Sequence, residues 1–265
     1  MQRYAIILMA GRSRRFGGED KCLATVDSKP IVSYSFEAFR KTKIFDRYFF
    51  VYRDATQRER LETFFKNHYL AETLSHIVWV SGGQERALSV YAALEAIHEQ
   101  FSTEAFIFIH DGARPLVTAE HILGMNALLS PKWGIVLGHR STDTMVTIVP
   151  KSDNATVKNS DSRGTKDPVQ NMLPIVEATE MTQRHYPIRE MLWSLETPQT
   201  FYFPAIFEDY KAAIHLGRHP TDDSSVFSGT IKFFENNNLN LKITTAQDLE
   251  FLRAVFNISD SIQIQ

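Results

Sequence analysis

Short apolar runs of strand length alternate with helix-like patterns along most of this chain. Six runs are predicted strands: Tyr4 to Met9, Arg47 to Tyr52, His76 to Val80, Ala105 to His110, Gly134 to His139 and Asn240 to Thr244. Six segments repeat apolar residues every three or four positions and are predicted helices: Ile31 to Lys41, Thr56 to Lys66, Glu85 to His98, Ala119 to Leu128, Pro204 to Leu216 and Ala246 to Phe256. Thr245 is expected to cap the last helix, because Asp248 follows three residues later. Alternating strands and helices predict an α/β fold with a mainly parallel sheet flanked by helices.

The alternation is interrupted between residues 151 and 187, where polar residues dominate and the pattern is weak. A polar segment of this length inside a compact domain is either a mobile insertion or an excursion that packs elsewhere, for example on a partner subunit. An ordered arm with a disordered tip is the favoured interpretation. We therefore expect one domain over residues 1–265, with residues 140–190 as a protruding arm.

The composition narrows the class of protein. The 29 Lys and Arg residues against 31 Asp and Glu residues leave a net charge of −2, which argues against a general nucleic-acid or membrane-surface binder. The single cysteine, Cys22, cannot form an internal disulfide, and this favours a reducing compartment. No apolar stretch of about 18 residues occurs, and the N-terminus runs directly into a predicted strand rather than a signal peptide. We expect a soluble, cytoplasmic protein.

The loop Gly11 to Lys21 carries the strongest candidate chemistry. It follows the first predicted strand, and ligands of parallel α/β sheets gather at the carboxyl ends of strands. Glycine lets backbone N–H groups approach a phosphate closely, while three arginines and Lys21 supply positive charge. The loop matches neither the P-loop nor the dinucleotide fingerprint, since Ser13 occupies the second glycine position, and a solvated cationic turn is the alternative. The sequence favours a nucleotide triphosphate site here.

Two further loops follow predicted strands. In Ser81 to Ser89, two glycines allow a flat ligand against the backbone and Gln84 offers hydrogen bonds to a base edge, although a purely steric role for the glycines is the alternative. Asp111 comes directly after an apolar strand, a position that suits Mg²⁺ bound by one carboxylate and substrate phosphates. A helix cap or an ion pair with Arg114 is the alternative for Asp111. His110 is expected to be structural.

Taken in order, these motifs resemble the CTP-dependent cytidylyltransferases of sugar-alcohol phosphates, above all the 2-C-methyl-D-erythritol 4-phosphate cytidylyltransferase family. The resemblance runs from Ala5 to about Leu252. Its motifs are Ala10-Gly11 through Arg15 and Lys21, Gly82-Gly83 with Glu85-Arg86 and Ser89, His110 through Pro115, Asp143-Thr144-Met145, Arg189 with Leu192-Trp193, Thr197-Pro198-Gln199, Thr221-Asp222, and Lys242. The ordered set is specific, although no single member is.

The resemblance implies a Rossmann-like nucleotidyltransferase fold and a reaction of isoprenoid precursor synthesis. The acceptor's phosphate would attack the α-phosphorus of CTP, and pyrophosphate would leave without a covalent enzyme intermediate. Mg²⁺ or another divalent cation is the implied cofactor. The resemblance also implies a homodimer in which the arm reaches the neighbouring active site.

Roles for individual residues come from the same resemblance. The implied catalytic residues are Arg15 and Lys21, which would stabilise charge on the reacting phosphorus and pyrophosphate, and Arg189 and Lys242, which would hold the acceptor's phosphate. The implied nucleotide-binding residues are Met9, Ala10, Gly11, Gly83, Gln84, Ser89 and Gly112. The implied substrate contacts are Arg114, Thr144, Thr197, Thr221 and Asp222, with Asp111 as the metal ligand.

Three positions depart from the family pattern. Ser13 replaces a glycine, Asp20 stands where a proline normally precedes the lysine, and Gln84 replaces the Asp that contacts cytosine. The Gln84 oxygen can accept from the cytosine amino group, but a flipped amide can donate to uracil. Two alternatives remain: another acceptor such as ribitol 5-phosphate, or a catalytically silent nucleotide-binding regulator. A dehydrogenase is disfavoured because the glycine fingerprint fails.

Overall fold

The computed structural model of the protein describes residues 1–150 and 181–263, and for residues 147–150, 181–185 and 259–263 it describes the backbone only. The disordered tip expected within residues 151–187 falls mostly outside the described residues. The chain divides into two units, one of residues 1–139 and 195–265 and one of residues 140–194. The second unit begins where the predicted arm begins and ends four residues beyond it; the arm's proposed role in dimerisation stays a prediction.

A seven-stranded sheet is the centre of the fold. The strands of the chain are β1 Gln2–Leu8, β2 Thr25–Val26, β3 Lys29–Pro30, β4 Arg47–Tyr52, β5 Ile77–Ser81, β6 Ala105–Asp111, β7 Trp133–Arg140, β8 Thr147–Pro150, β9 Met181–His185, β10 Trp193–Tyr202 and β11 Thr230–Glu235. The sheet has the order β11-β7-β10-β6-β1-β4-β5. The strands β6, β1, β4 and β5 pair in parallel, β11 is parallel to β7, and β10 is antiparallel to β6. The prediction of a mainly parallel sheet is confirmed.

Helices cover both faces of this sheet. They are α1 Ile31–Thr42, α2 Ala55–His68, α3 Ala71–Ser75, α4 Arg86–Gln100, α5 Ala119–Ala127, α6 Phe203–His215 and α7 Ala246–Gln263. All six predicted helices are confirmed, and the short α3 is additional. The Thr245 cap is also confirmed, because its Oγ1 accepts from the Asp248 N–H at 3.3 Å and the Asp248 carboxylate accepts from the Thr245 N–H at 2.8 Å. None of the helices described is long and apolar enough to cross a membrane.

Alternate residues of β1 enter two different cores. Ala5 and Ile7 belong to one buried cluster with Phe36 of α1, whereas Ile6 belongs to the other with Leu94 of α4. Both faces of the central strands are therefore buried, which is why these strands read as continuous apolar runs in the sequence. Burial on both faces fixes the register that brings the ends of β1 and β6 together.

One predicted strand is wrong, and two strands of the seven-stranded sheet were not predicted. The predicted strand Asn240–Thr244 is wrong: this segment is irregular, and its backbone pairs instead with the loop after β6, through Ile243 N–H to the Ala113 carbonyl at 2.8 Å. The strands β10 and β11 were not predicted. The segment of β10 is interrupted by polar residues and a proline, and most residues of β11 are exposed, so neither shows a clear apolar pattern.

In the second unit, the structure describes the two segments on either side of residues 151–180. The strands β8 and β9 pair antiparallel, and a short 3₁₀ helix covers Arg189–Met191. Within this unit the Ser141 N–H donates to the Leu192 carbonyl at 2.9 Å. The two sequence segments that enter and leave residues 151–180 are thus held together close to their bases.

Candidate functional site

The carboxyl ends of β1 and β6 form one edge of a cavity. Leu8 and Asp111 are register partners in these parallel strands, and the Gly112 N–H donates to the Leu8 carbonyl at 2.9 Å. The lining of this cavity includes residues from all three candidate loops together with Lys242, among them Met9, Ala10, Gly11, Lys21, Cys22, Gly83, Gln84, Arg86, Ser89, Asp111 and Lys242. A second cavity is lined by Arg12, Arg14 and Arg15, and Lys21 and Gln84 line both. Sequence positions far apart in the chain are therefore brought to one site.

Cationic side chains converge on Asp111. Lys242 Nζ lies 2.7 Å from Asp111 Oδ2, Arg86 Nε lies 3.3 Å from Oδ1, and Arg114 Nε lies 3.8 Å from Oδ2. Burial by itself would raise the pKa of Asp111, but Arg86 and Lys242 outweigh burial and hold this pKa well below its usual range. The carboxylate is therefore ionised throughout the physiological pH range.

Arg86 also forms a buried ion pair that sequence reasoning did not identify as part of the site. Its guanidinium donates two hydrogen bonds to Asp223, at 2.7 and 2.6 Å, and the hydroxyl of Tyr210 donates to the same carboxylate at 2.5 Å. Asp223 is fully buried. Burial favours a lower pKa for Arg86, but Asp223 and Asp111 raise it well above its usual value. A row of alternating charges thus connects Asp223, Arg86 and Asp111.

The sequence signal for this network was the pair Asp222-Asp223, of which only Asp222 was predicted as a site residue. Asp222 instead accepts a hydrogen bond from Gln199 Nε2 at 2.7 Å and one from the Ser224 N–H at 2.9 Å. These contacts stabilise the loop after α6. A substrate contact for Asp222 stays a prediction.

Lys21 lies in positive surroundings. Burial lowers its pKa, and the charges of Lys242 and Arg15 lower it further, against the opposing effects of Cys22 and Asp111. Its backbone N–H donates to the hydroxyl of Ser13 at 3.2 Å. Ser13 has a φ of 49°, a left-handed conformation in which glycine is the usual residue. The backbone shape that a glycine would allow is therefore retained with serine.

The two glycines before α4 are required by close packing. A Cβ atom on Gly83 would lie 2.4 Å from Leu88 Cβ, and one on Gly82 would lie 2.5 Å from Ala10 Cβ. Ser89 is buried, and its hydroxyl accepts from the Gly83 N–H at 3.2 Å. The steric interpretation of the glycines is thus supported, and the resulting turn leaves Gln84 exposed at the cavity.

Thr197 and His110 support Asp111 from within the fold. The Thr197 hydroxyl accepts from the Asp111 N–H at 3.1 Å and lies 3.0 Å from His110 Nδ1. His110 is fully buried, and burial lowers its pKa to about 3, so the imidazole is neutral and structural as expected. Arg114 is mostly buried and donates to the Asn240 carbonyl at 2.8 Å. These side chains hold the loop after β6 in place.

The remaining predicted site residues lie elsewhere. Thr221 is exposed in the loop after α6. Thr144 and Arg189 are exposed residues of the second unit, residues 140–194, in a loop and in the 3₁₀ helix respectively. The first unit therefore contains the predicted nucleotide-binding residues, and their roles, like those of Thr144 and Arg189, stay predictions.

The residues at this edge of the sheet suit a magnesium ion that is held by one protein carboxylate together with substrate phosphates. Among the residues that the structure describes, no three His, Cys, Asp or Glu side chains cluster as a metal site. Asp111 supplies one ionised carboxylate, and Mg²⁺ in nucleotide enzymes is commonly held by one or two carboxylates, substrate phosphates and water. Asp111 is therefore suited to a metal ion that arrives with a nucleotide.

Comparison with known proteins identifies relatives along almost the whole chain. The family model described as IspD, 2-C-methyl-D-erythritol 4-phosphate cytidylyltransferase, matches residues 4–165 and 155–258. A relative of that name from Alkaliphilus oremlandii is 29% identical over 248 residues, covering 92% of this chain and 90% of its own. Another from Dictyoglomus thermophilum is 29% identical over 261 residues, covering 97% of both.

Solved structures agree on the fold. The 4-diphosphocytidyl-2C-methyl-D-erythritol synthase of Anaerococcus prevotii has a TM-score of 0.71 at 21% identity, covering 97% of this chain and 96% of that one. The 2-C-methyl-D-erythritol 4-phosphate cytidylyltransferase of Francisella tularensis has a TM-score of 0.66 at 23% identity, covering 95% and 98%. Since the family model covers far more than half of the sequence, this chain belongs to the 2-C-methyl-D-erythritol 4-phosphate cytidylyltransferase family of nucleotidyltransferases.

Proposed function

We propose that this protein transfers the cytidylyl group of CTP to the phosphate of 2-C-methyl-D-erythritol 4-phosphate, a step of isoprenoid precursor synthesis. An oxygen of the acceptor's phosphate forms a bond to the α-phosphorus, the bond from that phosphorus to the bridging oxygen breaks, and pyrophosphate leaves with the electron pair. The observation that carries this proposal is the convergence of Lys21, Asp111 and Lys242 on one cavity at the ends of β1 and β6.

Arg15 and Lys21 are the proposed cations for the triphosphate. Negative charge accumulates on the reacting phosphorus and on the departing pyrophosphate, and preorganised cations stabilise this charge. Lys21 is partly desolvated, so its attraction to a phosphate oxygen is stronger than that of a fully solvated lysine. Loss of Lys21 is therefore expected to slow the chemical step more than it weakens binding.

Lys242 and Arg189 are the proposed cations for the acceptor's phosphate. The contact with Asp111 at 2.7 Å fixes the position of the Lys242 ammonium group beside the cavity. Correct placement of the attacking group can contribute several kcal/mol, about 7 in favourable cases. Arg189 belongs to the second unit, and we assign residues 140–190 the role of a homodimer arm that brings Arg189 and Thr144 to a neighbouring site.

Asp111 is the proposed ligand of Mg²⁺. A bound divalent ion would supply positive charge to the nucleotide phosphates. The protein's own contribution is to keep this carboxylate ionised and fixed, through Arg86 and through the Thr197 hydroxyl that accepts from its N–H. The homodimer and a cytoplasmic location are further predictions of the same proposal.

Turnover assays test the proposal directly. The protein is incubated with MgCl₂, a nucleotide and an acceptor, and pyrophosphate release is followed. We expect turnover with CTP and 2-C-methyl-D-erythritol 4-phosphate, and a strongly reduced but measurable kcat in a folded Lys21→Ala variant. Strong turnover with ribitol 5-phosphate and none with 2-C-methyl-D-erythritol 4-phosphate would overturn the proposed choice of acceptor. The same assay with UTP tests whether Gln84 selects cytosine.

A further inference from the structure

Asp20, the residue immediately before Lys21, carries a nearly buried carboxylate for which the proposed reaction has no use. Its side chain is 7% exposed. Its Oδ2 accepts from Gln57 Nε2 at 2.6 Å and lies 3.2 Å from Arg53 Nη2, and its Oδ1 accepts from the Cys22 N–H at 2.9 Å. A buried charge is costly unless several partners satisfy it, so this arrangement fixes Asp20 tightly.

Gln57 joins three parts of the fold through one side chain. It is fully buried, and its Nε2 donates both to Asp20 and to the Met9 carbonyl at 3.0 Å. Its Oε1 accepts from the Arg53 N–H at 2.7 Å, and its own N–H is capped by Asp54 at 2.8 Å in the first turn of α2. The end of β1, the start of α2 and the residue before Lys21 are thereby held at fixed separations.

The backbone is held on both sides of Lys21. Ser13 accepts from the Lys21 N–H, and Asp20 accepts from the N–H of Cys22. Burial lowers the pKa of Lys21, and the charges of Lys242 and Arg15 disfavour its charged form further, against the attraction of Asp111. Repulsion of this kind tends to drive a flexible lysine out toward solvent. A fixed backbone restricts that movement and keeps the ammonium group at the cavity.

We propose that Gln57, acting through Asp20, is a positioning residue that sets Lys21 for the triphosphate. The kinetic test of this inference rests on the proposed function. A second test, by pyrophosphate binding, does not depend on that function. Gln57 does not line the cavities that hold the candidate site residues, so its effect reaches the ligand through its partners Asp20 and Met9. The inference assigns this effect to Asp20 and the adjoining Lys21. The competing explanation is that Gln57 only stabilises α2.

Gln57→Met is the main perturbation, because methionine keeps the length of the side chain and removes its hydrogen bonds. Misplacement of a catalytic group by about 1 Å can cost on the order of 100-fold in rate. We expect kcat to fall about 10- to 100-fold with little change in the KM for the acceptor. Asp20→Ala should give a similar loss, and the two losses should not multiply in the double variant.

Thr118→Ala is the matched control for stability. Thr118 caps α5 as Asp54 caps α2, and its hydroxyl accepts from the His121 N–H at 3.2 Å, away from the loop of Lys21. The control should lower the thermal unfolding midpoint and leave kcat unchanged. A loss of kcat in Thr118→Ala equal to that in Gln57→Met would assign the effect to stability and overturn the inference.

A cycle with Lys21→Ala separates positioning from a general structural role. Gln57→Met should reduce kcat/KM in the wild-type background and have almost no further effect once Lys21 is alanine. In a Lys242→Ala background it should still act. Equal reductions in the wild-type and Lys21→Ala backgrounds would overturn the inference.

Calorimetric binding of inorganic pyrophosphate repeats the cycle without catalysis. Gln57→Met should weaken binding to the wild-type protein but not to Lys21→Ala. Should the wild-type protein turn over no acceptor, the proposed function fails, and the pyrophosphate cycle decides the role of Gln57 alone. Unchanged pyrophosphate affinity in Gln57→Met would then refute that role.

Discussion

Asp223→Asn tests the buried ion pair behind the site. Asp223 is fully buried and neutralises Arg86 through two hydrogen bonds, while it also accepts from the hydroxyl of Tyr210. Asparagine keeps one acceptor oxygen for Tyr210. Its NH₂ group, however, faces a guanidinium that can only donate, and the Arg86 charge then has Asp111 at 3.3 Å as its nearest carboxylate in the network.

Asp223→Asn should strongly lower the free energy of unfolding. Removing one partner of a buried ion pair costs about 3–5 kcal/mol, because the other charge stays buried without compensation. A typical folded domain is stable by only about 5–15 kcal/mol, so the variant should still fold but with a strongly reduced margin. The double variant Arg86→Met/Asp223→Asn removes the buried guanidinium charge and keeps an acceptor for Tyr210. It should recover about 2 kcal/mol of the loss.

Urea denaturation followed by circular dichroism measures these free energies. The wild type, both single variants and the double variant form one cycle, and equal slopes against urea would show that the transitions are comparable. A cost below about 1 kcal/mol for Asp223→Asn, the usual size for an ordinary substitution, would show that Asp223 does not neutralise a buried charge. Simple addition of the costs of the two single variants in the double variant would show that Arg86 and Asp223 are not coupled.

Three further predictions concern the walls of the cavity. Gly83→Ala should weaken CTP binding measured by calorimetry, because the new Cβ would lie 2.4 Å from Leu88 Cβ; undiminished affinity would show that the turn adapts. Lys242→Ala should lower kcat/KM for the acceptor more than it lowers CTP affinity, and the reverse order would place Lys242 on the nucleotide. Burial raises the pKa of Cys22 from 9.0 to about 12, so the folded protein at pH 8 should carry about 1000-fold less thiolate than an unfolded chain and react correspondingly slowly with iodoacetamide. Rapid alkylation of the folded protein at pH 8 would contradict the burial of Cys22. The contribution to the free energy of unfolding from keeping this thiol protonated is present below about pH 9 and is lost as the pH rises toward 12.

Helices and strands were predictable where their buried residues recur with a regular period along the sequence. The strands at the centre of the sheet are apolar on both faces, and helices such as α1 bury one stripe, so local periodicity was sufficient. The segment Asn240–Thr244 misled the prediction because its apolar residues alternate without a strand partner. Its shape is set by contacts distant in sequence, such as the Asn240 side chain donating to Glu196 at 2.8 Å.

The site was predictable in its residue types and less so in its connections. Ordered motifs indicated Lys21, Asp111 and Lys242, and the structure brings these three to one cavity. Local sequence gives no information on which of two adjacent acids turns inward, so Asp223 was missed. Gln57 was missed for a similar reason: it lies in a helix whose pattern predicted only packing, and its three partners come from other elements.

The electrostatics of the site depend on burial as much as on residue identity. The whole chain carries a net charge of −2, yet Arg86, Arg114 and Lys242 all approach Asp111 within 4 Å. Asp223 compensates Arg86 from the side away from Asp111, which allows Arg86 to stay buried and keep the Asp111 carboxylate ionised. Lys21 and Arg15 then add positive charge that these two carboxylates do not compensate. This local excess favours polyphosphate ligands. Lys21 is partly buried whereas Arg15 is exposed. Because partly buried charges are screened less by salt than exposed ones, the contribution of Lys21 to CTP affinity should fall less steeply with ionic strength than that of Arg15.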